Sequence, residues 1–168
     1  MRTSVPAILL LCCASVFAAY HVNFPFGKYP AGDIYRGKPA PAHADSPSAV
    51  RFRTVIENGA RKGPNFAGHY TVVTWGCGAA CASFAIVDAQ EGKVWMPPYA
   101  TVGFQDAEGF FQHTGLYYQL NSSLFVLQGC PDGKDCAEHY YRWTGDGLES
   151  IESRPLAHIK PSEPKPAQ

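Results

Sequence analysis

Residues 69–97 read HYTVVTWGCGAACASFAIVDAQEGKVWMP. HYTVVTW is dense in β-branched and aromatic residues and runs into Gly76, which is the composition of a strand with a stop. SFAIVD and KVWMP flank AQEG, and Gly92 can take a positive φ there, so the two runs read as a β-hairpin. Pro97-Pro98 ends the second run because proline cannot donate to a ladder.

Outward from this stretch the pattern repeats. LYYQL and LFVLQG flank Asn121-Ser122-Ser123, and HYYRW and LESIES flank TGDG. Successive hairpins at short spacing predict a mainly β, α+β chain. It is expected to form an antiparallel meander folded as a sheet, a sandwich or a partial barrel of about 6–8 strands. One packed helix is expected ahead of it. Ser46 is placed to cap that helix with Pro47 at its first position, Phe52, Val55 and Ile56 share a face, and Asn58-Gly59 supply a stop.

The ends of the chain carry other signals. Arg2, an apolar run from Val5 to Phe17 and small residues after it form the pattern of a signal peptide over 1–18, with cleavage expected after Ala18. The run is shorter than the roughly 20 residues that cross a bilayer, and no later stretch is apolar enough to span. No stable membrane anchor is expected after cleavage. Residues 19–47 form a Pro/Gly-rich extended arm, docked by Phe24, Phe26 and Tyr35 and continued by a flexible link through KPAPAHADSPS. Residues 48–158 make a disulfide-stapled β domain, and the Pro-rich tail at 159–168 is expected to be disordered. The protein is therefore expected outside the cytoplasm, secreted or periplasmic.

Charge and cysteine usage exclude several classes. Without Arg2, 13 basic residues stand against 14 acidic ones, which is not the basic footprint of a nucleic-acid binder. Cys77, Cys81, Cys130 and Cys136 remain in the mature chain. In an oxidising compartment they imply disulfides with three possible connectivities, and the spacing favours the local pairs Cys77–Cys81 and Cys130–Cys136. A four-thiolate zinc site would want a tighter second pair, so no metal and no cofactor are expected.

Chemistry-bearing motifs are sparse. There is no G-x-S-x-G elbow in the mature chain, no P-loop and no H-E-x-x-H pair. Six histidines are scattered, and His69 beside Tyr70 in the glycine-rich strand entry is the most suggestive. No residue is assigned a catalytic role. Asn65, Gly68, His69, Tyr70 and Trp75 are the candidate residues for binding a ligand or partner. Tyr70 carries a second reading, in which strand alternation turns it into the core. The adjacent aromatic pairs Phe110-Phe111, Tyr117-Tyr118 and Tyr140-Tyr141 must send one ring to each side of an extended strand. They are expected to line a second surface or a second packed layer.

GPNFAGHYTVV, WGCGAAC and IVDAQEGKVW resemble a family of small secreted bacterial proteins built on a GPNFAGxY…WGCGxxC…IVD motif. There is a fainter similarity to periplasmic lysozyme inhibitors, β-proteins that push a Ser-Gly-x-Tyr-like loop into the enzyme's cleft. The corresponding loop here is Ala67-Gly68-His69-Tyr70, with Ala67 in place of the serine. That resemblance implies an inhibitor or immunity protein against a cell-wall hydrolase. Compartment, near-neutral charge, the disulfide loops and the Gly68-His69-Tyr70 turn make the leading expectation a non-enzymatic binding protein for a protein partner or cell-envelope ligand. The competing classes are an envelope-polymer hydrolase with His69, His139 or Asp88 as acid–base groups, and a structural envelope component.

Overall fold

The computed structural model describes residues 23–78, 80–105, 111–112 and 115–156. The signal sequence read at 1–18, the start of the arm, Phe110 and the tail at 159–168 lie outside the described residues.

Two strands carry the architecture, β2 (Cys81–Asp88) and β8 (Leu124–Pro131). Both contain continuous apolar runs rather than alternating ones, the pattern of a strand covered on both faces. On β2, Phe84 and Ile86 enter one core while Ala85 and Val87 enter another. On β8, Phe125 and Leu127 share the first core, and Leu124 and Val126 join a third. None of these eight residues is more than 1% exposed.

The neighbours follow from those runs. β1 (Tyr70–Gly78) pairs with β2 from Tyr70↔Asp88 to Gly78↔Cys81, and β3 (Val94–Trp95) pairs with the other edge of β2. β7 (Gly115–Tyr118) and β9 (Ala137–Trp143) flank β8, and β10 (Leu148–Arg154) pairs with β9. These three-stranded and four-stranded antiparallel sheets face each other across the first core. There the rings of Phe84 and Phe125 stack with centroids 5.0 Å apart. Short β4 (Thr101–Val102) joins the sheets by pairing with both β2 and β8, and β5 (Phe104–Gln105) pairs with β6 (Phe111–Gln112). Among the described residues the sheets do not close into a barrel. The expected mainly β meander is a sandwich bridged along one edge.

The helical segment differs from expectation in two respects. Ser46 does cap, its Oγ accepting from the Ala49 amide at 3.2 Å with Pro47 at the first position. The segment nevertheless forms two helices, α1 (Pro47–Val50) and α2 (Arg53–Ala60), because Phe52 leaves helical geometry at φ −118° and sets its ring against Trp75. Asn58-Gly59 lies inside α2 instead of stopping it. A Cβ on Gly59 would overlap the Val73 side chain, so this glycine lets the helix approach β1 closely. The second core, with Ile56 and Ala60 against Val73, Ala85 and Val87, depends on that approach.

The arm covers part of the outer face of the four-stranded sheet. Phe24 packs with Leu124, Val126 and Tyr140 in the third core, and Ser122 Oγ hydrogen-bonds to the carbonyls of Phe26 and Tyr29. The stretch read as a flexible link is also tied down. The Ala40 amide donates to Ala89 O at 2.9 Å and the His43 amide to Gly92 O at 2.7 Å. A proline-rich segment holds such a path because its φ angles are already fixed and little entropy is lost on docking.

The disulfides are Cys77–Cys81 and Cys130–Cys136, the local pairs favoured by spacing. Loops this short contribute only about 2 kcal/mol each in the chain-entropy model. Stability therefore rests mainly on the packed layers. Phe125→Ala is expected to lower the free energy of unfolding by about 3–5 kcal/mol in chemical denaturation. A loss under about 1 kcal/mol would mean that the two sheets do not depend on this stack.

Candidate functional site

The turn that led the sequence reading is built as a clamp. Tyr70 N donates to Phe66 O at 2.9 Å and Phe66 N to Tyr70 O at 3.0 Å, closing a short hairpin. Ala67 and Gly68 sit at φ 44° and 84° inside it. The Ala67 and Gly68 amides donate to carbonyls of the β7–β8 connection, at Ser122 and Leu120, and Gly68 O accepts from the Tyr35 amide of the arm. A Cβ on Gly68 would lie 2.7 Å from Asp33 O, so only glycine fits the left-handed backbone and the space. The turn is held on both sides instead of projecting.

Asn65 serves the same scaffold. Its side-chain amide donates to Val72 O at 3.1 Å and accepts from Val72 N at 2.8 Å, replacing a strand partner at the edge of β1. Trp75 lies half-buried against Phe52, ring centroids 4.8 Å apart, on the helix-covered face. Of the five nominated residues, Asn65, Gly68 and Trp75 are therefore engaged in the fold.

His69 and Tyr70 occupy one end of the sandwich. The His69 ring leans on Tyr70 at 4.1 Å, and Tyr70 meets Trp143 edge-on at 5.1 Å. Burial pushes the Tyr70 hydroxyl above the ordinary tyrosine pKa, with the Trp143 indole partly offsetting it. His69 Nε2 stands 3.5 Å from Asp88 Oδ2. Asp88 Oδ1 accepts from the amides of Gln90 and Glu91, so the hairpin turn orients the carboxylate towards the imidazole. Lys93 and Asp146 pair at 2.7 Å nearby and join the β2–β3 and β9–β10 turns. The sequence candidates His69 and Asp88 thus meet in a partly exposed pair.

A second constellation crosses the outer face of the four-stranded sheet. Cross-strand register sets Gly115 opposite Gln128, Gln128 opposite Glu138 and Glu138 opposite Arg154. Side chains connect along that row. Tyr117 donates to Gln128 Oε1 at 3.0 Å, and Gln128 Nε2 donates to Glu138 Oε2 at 2.8 Å. The Tyr140 hydroxyl donates to the other Glu138 oxygen, while the Arg154 guanidinium lies 4.5 Å over the Tyr140 ring. Burial, then the hydrogen bond to Glu138, push the Tyr140 hydroxyl up to about 12, against the opposing charge of Arg154. The paired aromatics divide as alternation requires: Tyr118 and Tyr141 pack on the first core, whereas Tyr140 joins the third and Tyr117 meets Phe24.

Sequence reading missed Gln128, Glu138 and Arg154, because nothing in a single strand says which polar residues become neighbours across four. The available signal was the alternation through EHYYRW. Compared with known proteins, the chain matches no family model, no curated protein and no solved structure.

Two outcomes test this geometry. Asn65→Ala leaves two groups of Val72 without their partner and is expected to destabilise by roughly 2–4 kcal/mol in denaturant melts, with secondary structure retained in the native baseline. A loss under about 0.5 kcal/mol would remove Asn65 from the scaffold. For Tyr140, the folded state favours the neutral phenol over its ordinary value of 10.0. Its contribution to stability is present below pH 10 and is lost as pH rises towards about 12. Tyrosinate absorbance, taken as a difference from Tyr140→Phe, should show this late midpoint; titration at the ordinary value would refute it.

Proposed function

We propose that the protein is an exported binding protein that recognises a hydroxyl-rich polymer of the cell envelope across the outer face of β7–β10. The observation carrying this reading is the continuous row of Tyr117, Gln128, Glu138, Tyr140 and Arg154. Amide, carboxylate and guanidinium supply donors and acceptors in register, and the 36%-exposed Tyr117 offers a ring for stacking. The sheet beneath is covered on its other side, so Tyr117, Gln128, Glu138 and Arg154 are presented on a rigid surface, with Tyr140 buried among them. Export is supported by the apolar leader at 1–18 and the two disulfides. No helix among the described residues is long and apolar enough to cross a membrane.

An inhibitor of a cell-wall hydrolase is a finer form of the same reading. Its original basis was insertion of residues 67–70, and the clamped backbone of that turn lends insertion no support. The recognition surface is therefore assigned to the sheet face. The hydrolase reading keeps one specific observation, the His69–Asp88 approach at 3.5 Å.

The test is co-sedimentation of the purified mature protein with insoluble peptidoglycan sacculi. Retention is expected, and the Tyr117→Ala, Gln128→Ala double variant should bind about tenfold more weakly while melting at a similar temperature. Equal retention of the variant, or capture of a lysozyme at micromolar concentration without sacculus binding, would overturn the polymer reading. Release of soluble fragments that stops with His69→Ala would favour the hydrolase instead.

A further inference from the structure

The opposite side of β9 and β10 carries a different arrangement, and it does not rest on the polymer-binding reading. A groove of about 670 Å³ opens there, within the size range of small-molecule sites. Its lining includes Pro131, Asp135, Tyr141 and Arg154, together with His139 and Ser153. His139 is only 7% exposed, whereas Ser153 is open to solvent.

We infer that Ser153 is a nucleophile activated by His139, acting on small uncharged acyl esters. Ser153 Oγ lies 2.9 Å from His139 Nδ1, and His139 Nε2 lies 2.8 Å from the carbonyl oxygen of Asp135. A carbonyl can only accept, so Nε2 carries the proton in the neutral ring. Nδ1 is then the lone-pair nitrogen and accepts from the serine hydroxyl. This is a nucleophile, a base and a group that orients the base, in the required order.

Two irregularities of the chain produce that order. The ladder of β9 and β10 shifts between Ser150 and Glu152. Without the extra residue, Glu152 would stand opposite His139; with it, Ser153 does. The second is at Asp135, a non-glycine residue at φ 46° in the loop closed by Cys130–Cys136. The strained residue presents its carbonyl to the imidazole, and the disulfide holds the loop in place.

The reaction balances with water as the only co-reactant. Ser153 Oγ bonds to the acyl carbon as its proton passes to His139 Nδ1. The ester C–O bond then breaks and the departing oxygen takes that proton. Water, deprotonated by the same nitrogen, attacks the acyl-serine, releasing the acid and regenerating the hydroxyl. Apolar atoms make most of a lining that also includes Asp135 and Arg154, the latter paired with Glu152, and this favours a short uncharged acyl group over a charged one.

Incubation of the full mature chain with a fluorophosphonate, read by peptide mass spectrometry, tests the assignment. Phosphonylation is expected at Ser153 and not at Ser150, an exposed serine of the same strand that serves as an internal control. Ser153→Ala should abolish it, and His139→Gln should slow it about a hundredfold. Should the His139→Gln protein fail to fold, the contrast between Ser153 and Ser150 in the wild-type chain decides alone. Equal labelling of the two serines, or none at Ser153, overturns the proposal.

Discussion

Phe84 and Phe125 stack where β2 and β8 cross the central core, and the two strands that carry them are apolar on their far faces as well. A strand with one polar face supports two layers. Here each central strand needs cover on its second side as well, and the chain supplies it from segments that are not strands. Helix α2 closes over Ala85 and Val87, and the arm closes over Leu124 and Val126. The result is four layers from a short chain.

The same constraint explains the clamped turn at 66–70. To reach from the outer face of one sheet to the helix on the other, the arm must pass the end of the sandwich. It does so by hydrogen-bonding at Gly68, Ala89 and Gly92. Gly68 and Gly92 stand at positive φ and face arm atoms so closely that a Cβ has no room. The conspicuous glycines of the sequence are thus contact points of the arm as much as turn formers. Chemistry is displaced to the His69–Asp88 end, to the outer row beside Phe24, and to the groove beside the second disulfide.

Much of the fold was legible. Hairpins were marked by Gly92, Asn121-Ser122-Ser123 and TGDG, and the local disulfides by their spacing. The Ser46-Pro47 helix start was legible because a cap is a local device. Missed were the break at Phe52, which answers to Trp75 far along the chain, and the role of Gly59, which answers to Val73. The site was less legible than the fold. His69 and Asp88 were nominated separately, and only the Tyr70↔Asp88 register brings them together.

By itself the sequence determined the succession of hairpins, the apolar runs of SFAIVD and LFVLQG and the local pairing of the cysteines, since each depends on residues a few positions apart. Only the tertiary structure decided that GPNFAGHY is a clamp and that Ser153, not Glu152, faces His139. Those outcomes depend on backbone contacts between distant segments and on a one-residue shift in register. Neither leaves a periodicity in the chain.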